Sequence, residues 1–317
     1  MSYAQFGTIQ ASDFNTLAGG NPTTTANTLN AVWATGGSAA GYGQTAVANV
    51  AAGQSVAATA WSTLVSNTAN SATHQGSAIT SVTAPVSGGT ITFLSAIPTN
   101  LTTVYANRLN AATQGSTTVT SANRATTWNN NIVANLTATF ANGDAARYFF
   151  NAGGQFKLTF SHPTGTTIDN SLNALATACG TVVLSAPTSG TITIASTSYN
   201  GVTKIGGSGT VNTISTNSGY YAWTTSNVLA FRQLVASAPV GYTNTNINVN
   251  VKTNGTVGSN GDVGNVINIY CTWAELNSTG LTASAGSNSI LTVQYPETTN
   301  LSNSWGTVTL AASVSGS

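Results

Sequence analysis

From about residue 121 onward, apolar side chains alternate with polar ones. Phe156, Leu158 and Phe160 are interleaved with Gln155, Lys157 and Thr159, and Ile247, Val249 and Val251 with Asn246, Asn248 and Asn250. Ile267, Ile269, Cys271 and Trp273 form a third series, and Leu291, Val293 and Tyr295 a fourth. A period of two sets one group of side chains on one face of a strand. Several such runs, separated by Gly, Asn and Pro clusters, predict an antiparallel β-sandwich-like domain. One short helix is expected within it, with Asp169 as cap, Leu172, Leu175 and Cys179 as buried stripe and Gly180 as stop.

Before residue 121 the apolar spacing is three and four. Ser12 and Asp13 are suited to cap a helix that buries Phe14 and Leu17. Leu29, Val32 and Trp33 mark a second helix, and Ala57, Ala60, Trp61, Leu64 and Val65 a third. A fourth, carrying Leu101, Val104, Tyr105 and Leu109, is expected to start at Pro98 or Thr99 and to end before Gly115. The fold class expected is mainly β with short helices, α+β in layout. A mixed helical region, 1–120, anchors or packs, and a β-rich domain, 121–317, carries one short helix near 169–179. A short echo, Ala84-Pro85-Val86-Ser87-Gly88 against Ala186-Pro187-Thr188-Ser189-Gly190, precedes the strand-like runs Thr90–Phe93 and Thr191–Ile194. No longer period is sustained.

Charge changes the picture most. Seven Lys and Arg and six Asp and Glu make only 4% of the 317 residues charged, against 41% hydrophobic, where an ordinary domain carries about 25% charged. Thr, Asn, Ser and Gly replace them, and the apolar content still builds a core. Arg108, Arg124, Arg147, Lys157, Lys204, Arg232 and Lys252 are scattered singly, so no basic patch for nucleic acid is expected. A net charge of +1 favours association over a dispersed monomer. No apolar run of about 18 residues occurs to span a membrane. The opening Met1 to Phe6 has neither a basic start nor an apolar run, so no secretory signal is expected. Cys179 and Cys271 are expected to be buried free thiols in a chain made in a reducing compartment.

Candidate chemistry is sparse. His74, near a predicted helix end, and His162, between Ser161 and Pro163, are expected to be exposed or capping. Neither a Gly-x-Ser-x-Gly elbow nor a His-Glu-x-x-His pair occurs. The carboxylates are Asp13, Asp144, Asp169, Asp262, Glu275 and Glu297, and a hydrolytic pair among them is disfavoured. Asp144 and Arg147 form an i,i+3 pair, ordinarily a contribution of tenths of a kcal/mol. The run Asn254 to Asn265 holds one carboxylate and no lysine, so it reads as a hairpin loop and not as a calcium or phosphate loop. No catalytic residue, metal or cofactor is expected, and the chain is not expected to be an enzyme. Most of Trp33, Trp61, Trp128, Trp223, Trp273 and Trp305 are expected in the core. The dense cluster Tyr220, Tyr221 and Trp223 is expected to border a subunit or glycan contact.

Trp128, then Asn135 to Gly154 with the core Arg147-Tyr148-Phe149-Phe150-Asn151-Ala152-Gly153-Gly154, followed by Phe156-Lys157-Leu158, resembles a segment recurrent in virion structural proteins of tailed phages, particularly marine and cyanobacterial ones. Asn260 to Ile267 and Ser304-Trp305-Gly306-Thr307 fit the same pattern. The resemblance spans about residues 121 to 317. Physically, the segment reads as a helical turn begun by Asp144 that delivers Tyr148, Phe149 and Phe150 to a core, after which Asn151, Gly153 and Gly154 turn the chain into a strand. The resemblance implies a fibre-like component of the tail, neck or baseplate. As phage appendages commonly are, it would be a homo-oligomer, a trimer first, assembled with other virion proteins. The alternatives are an adsorption protein that binds a host surface glycan and a capsid decoration protein.

Overall fold

The computed structural model describes residues 10–89, 91, 95–208, 213–235, 245–274 and 282–316. Four helices come first: α1 (Ala11–Ala18), α2 (Leu29–Val32), α3 (Ala58–Gln75) and α4 (Ala96–Ala106). Then follow β1 (Gln114–Asn123), β2 (Asn131–Thr139), α5 (Gly143–Asn151), β3 (Gln155–Ser161) and α6 (Thr167–Cys179). Short strands come next: β4 (Thr181–Leu184), β5 (Ile192–Ile194), β6 (Thr197–Tyr199), β7 (Val202–Ile205) and β8 (Thr213–Ile214). The chain closes with β9 (Val228–Leu234), β10 (Asn246–Thr253), β11 (Val266–Ala274), β12 (Asn288–Pro296) and β13 (Thr309–Gly316).

The strands build the sandwich that the alternation predicts. One sheet has the order β1-β12-β3-β4-β7 and the other β13-β2-β11-β10-β9-β8, with neighbours antiparallel and β5 and β6 a separate hairpin. In the second sheet the register sets Phe231 opposite Val249, Val249 opposite Cys271, Cys271 opposite Ala134 and Ala134 opposite Val314. That row buries one inward face, because side chains directly opposite in an antiparallel pair lie side by side. Leu158, with Val182 on one side and Leu291 on the other, does the same for the first sheet. Helix α6 packs on β3, β9 and β10 and so touches both sheets.

The four leading helices share this core. Phe14 meets Trp61 edge to face, ring centroids 5.0 Å apart, and both belong to one continuous cluster with Leu101, Phe149, Leu158 and Val249. Residue 120, where the change of pattern was expected, lies inside β1. Three local readings need correction. Helix α4 begins at Ala96, with Pro98 in its first turn, where the ring costs no hydrogen bond. Gly115 is not a helix stop but lies in β1, where the register with β12 shifts. Gln155 is buried, not outward, and its amide oxygen accepts from Gln114 Nε2 at 2.7 Å. Thr90, Thr92 and Phe93, Met1 to Phe6, and Glu275 lie outside the described residues.

Candidate functional site

Helix α5 carries the most distinctive segment of the sequence. The Asn142 side chain caps it, accepting from the Ala145 amide at 2.8 Å. One turn on, the Arg147 guanidinium is completely buried. Its Nε and Nη2 donate to Asp144 Oδ1 at 3.1 and 2.8 Å, Nη1 to the Ala40 carbonyl at 2.7 Å, and Nη2 to the Thr35 carbonyl at 2.9 Å. Asn151 Nδ2 donates to the Gly41 carbonyl at 3.0 Å. The Tyr221 hydroxyl lies between Asn151 Oδ1 and the Ser38 carbonyl. Tyr148 lies against Gly43, whose φ is +68° and where a Cβ would come within 2.3 Å of the ring. Arg147 and Asn151 thus grip the loop from Thr35 to Gly43. The Asp144–Arg147 pair expected to be worth tenths of a kcal/mol is instead part of a buried network, where losing one partner strands the others.

Phe149 and Phe150 enter the core as expected, whereas Tyr148 is half-buried and stays outside it. Phe149 and Phe150 pack with Phe140 and Phe156, and Gly154 lets the backbone pass under Phe149, whose ring is 2.5 Å from where its Cβ would stand. Gly153 ends the turn, its amide donating to the Phe150 carbonyl at 3.2 Å. The contact expected at residues 220–223 is corrected. Tyr220 stacks on Phe150 with centroids 4.4 Å apart, Trp223 meets Phe150 edge to face at 5.4 Å, and both are buried. They have no surface to offer a subunit or a sugar. Tyr221 alone is half-buried. Trp223 Nε1 donates to the Ser218 carbonyl at 2.8 Å, whereas Tyr220 Oη has no partner among the described residues. All six tryptophans are buried.

Both histidines are also buried, which corrects the expectation of exposed or capping roles. His74 Nδ1 lies 2.9 Å from Glu297 Oε1. Burial alone would raise the pKa of Glu297, but hydrogen bonds from His74, the Asn300 side chain and the amides of Asn300 and Thr299 hold it down to about 2. His162 Nε2 lies 3.0 Å from Asp169 Oδ1 and Nδ1 lies 2.8 Å from Ser287 Oγ, which accepts from Trp128 Nε1 at 2.9 Å. Asp169 is not the cap itself. Thr166 caps α6 and Asp169 completes the capping box, while also accepting from the Ser284 amide and hydroxyl. Burial would raise its pKa, yet these bonds and the one to His162 press it well below the carboxylate range. The Asp–His–Ser order has the composition of a hydrolytic triad. Here His162 is 3%, Asp169 1% and Ser287 1% exposed, and the serine hydroxyl already holds Trp128 and His162, so no substrate reaches it in this arrangement.

The 254–265 run is the hairpin loop that the sequence predicts, joining β10 to β11. Asp262 Oδ2 accepts from the Ser259 amide at 2.7 Å, and Asn254 and Asn265 bond to each other across its base. Its tip and the loops at 22–24 and 36–38 enclose a groove of about 360 Å³ lined by Thr23, Thr24, Ser38, Ser259 and Asn260. No group of three or more His, Cys, Asp or Glu suited to a metal occurs among the described residues. No helix among them is long and apolar enough to cross a membrane. Cys179 and Cys271 are buried free thiols, and burial pushes each up to about 12.

One surface feature stands out. β1 and β13 are the outermost strands of their two sheets, on the same side of the sandwich and in contact with each other. Each is paired on one side only among the described residues. Neither contains a charged residue or a proline, and most of their side chains are exposed, Val119 at 60%. The opposite rim is formed by β7, of four residues and carrying Lys204, and by β8, of which Thr213 and Ile214 are described. Short strands and lysine are the ordinary guards of a sheet edge, and only that rim has them. Sequence alternation missed β1 and β13 because edge strands bury little of either face. Compared with family models, with curated proteins and with solved structures, the chain matches none.

Proposed function

We propose that this chain is a structural subunit of a tailed-phage particle, a homo-oligomeric component of the tail, neck or baseplate that works by protein–protein assembly and carries out no catalysis. The observation that carries this reading is the pair of uncharged, open strands β1 and β13. Exposed backbone donors and acceptors template pairing with another chain, and nothing in these strands repels a partner. An interface built on backbone hydrogen bonds and apolar burial is insensitive to screening. The resemblance of the α5 segment to virion proteins supplies the particle. Labelled imaging and quantitative mass spectrometry of purified particles test it. A few to a few dozen copies at the tail, neck or baseplate are expected, hundreds on the head would make the chain a capsid decoration protein, and its absence from particles would overturn the reading.

The groove beside Ser38 and Asn260 favours a second reading, adsorption to a neutral host glycan. It is lined by hydroxyl and amide groups without charge, as a neutral sugar requires. Binding on a glycan array that is lost in Ser38→Trp would support it, and an empty array would remove it.

A further inference from the structure

We infer that two copies of this chain pair through β1 and β13 about a two-fold axis, so that both sheets continue across the interface. This rests on the assembly reading above and names its first contact. The two rims of the sandwich are not equivalent. The β7 edge offers four residues and a lysine, while the β1–β13 rim offers ten and eight residues without charge. Head-to-tail growth would join unlike rims and set β1, of ten residues, against β7, of four. Joining like to like matches strand lengths and leaves every backbone group at the seam a counterpart.

Pairing of like surfaces is isologous, and a two-fold axis is the symmetry that closes it. Rotation of a copy by half a turn about an axis normal to the sheets reverses its strand direction. β13 then meets β13 antiparallel and β1 meets β1, and the six-stranded sheet continues into its copy. In β13, alternate N–H and C=O groups point away from β2 and have no strand partner among the described residues. The residues at the centre of β13, Ala311, Ala312 and Ser313, are small and exposed, so two copies approach without steric conflict. Charge decides the occupant. A partner with a charged edge would bury ions against an uncharged seam that contains no counter-ion, whereas a second copy brings none. This two-fold contact is an alternative to the threefold arrangement expected from phage appendages, and the mass of the assembly separates the two.

The test is the mass of the full-length chain by light scattering and sedimentation. The expected result is twice the 31.9 kDa chain mass, retained at about 1 M NaCl. In Val119→Lys/Ser313→Lys, lysines from the two copies face each other across the seam, and the mass should fall by half. Val263→Lys, on the exposed 254–265 loop, should leave it unchanged. Amide hydrogen exchange of the unaltered chain at low and high concentration provides a measure independent of any variant. Protection that rises with concentration in β1 and β13 supports the pairing. A monomer, a threefold mass, or protection confined to other strands overturns it. A dimer absent from particles would uphold the pairing and remove the phage reading, and a monomer present in particles would do the reverse.

Discussion

Arg147 reaches from helix α5 to the main-chain carbonyl of Ala40, 2.7 Å away and 107 positions earlier in the chain. Its other nitrogens hold Thr35 and Asp144, so one buried cation ties the helix to the loop between α2 and α3. Arg147→Ala should destabilise the chain by about 3 kcal/mol or more, since it leaves a carboxylate and two carbonyls short of partners. Arg147→Lys should recover only part of this, because an ammonium lacks the planar fork that reaches three oxygens. Denaturant unfolding of both variants measures the difference.

Tyr220 presents the opposite case. Its ring is packed on Phe150, but its hydroxyl is buried without a partner among the described residues, and burial drives the phenol pKa well above its usual value. Tyr220→Phe removes an unsatisfied group and keeps the ring, so it should raise stability by about 1 kcal/mol. A lower melting temperature would show that the hydroxyl is satisfied after all.

Gly43 should tolerate no side chain. Alanine there combines a φ of +68° with a methyl 2.3 Å from the Tyr148 ring, and should cost about 2 kcal/mol. Tyr148→Ala in the same background should restore part of the loss, since the clash disappears while the backbone strain stays. A double-mutant cycle reads the two contributions separately.

Acid should unfold the chain along a predictable course. Glu297 has its pKa lowered from 4.5 to about 2, and Asp169 is lowered as well. A carboxylate held below its unfolded value binds fewer protons in the native state, so its stabilisation is complete above about 4.5 and is lost as pH falls towards about 2. Melting temperatures between pH 6 and pH 2 should therefore fall most steeply in the lower half of that range. Glu297→Gln should be less stable at pH 6 and should show a shallower acid slope.

Cys179 and Cys271 are buried and their thiols are pushed up to about 12, so neither forms much thiolate at pH 8. A thiol reagent should label neither in the native chain and both in denaturant. Rapid labelling of Cys271 without denaturant would mean that β11 is open to solvent.

What the sequence shows of this fold follows from the range over which each signal acts. Phe156, Leu158 and Phe160 announce β3, and Ile267 to Trp273 announce β11, because alternation is written within a few residues and needs no partner. The edge strands escape for the same reason, as Val119, Leu310 and Val314 are too sparse to set a period. The buried networks are out of reach altogether. His74 meets Glu297 across 223 positions and His162 meets Ser287 across 125, so neither histidine looks different from an exposed one until the sheets are assembled. Tyr220, Tyr221 and Trp223 show how composition misleads, since an aromatic cluster marks a contact or a core equally well. The 142–154 segment was legible as a helix and a turn, but its hold on residues 35–43 was not.

That hold has a consequence for how such a chain can change. Because the leading third and the sandwich are fastened in part by carbonyls that Arg147 and Asn151 satisfy, neither portion is a cassette that recombination could trade for an unrelated one. An exchange that kept only the later strands would inherit a buried guanidinium that has lost two of its three acceptors. Lineages carrying this architecture are expected to inherit both portions as a single unit, and to diversify at the outer loops.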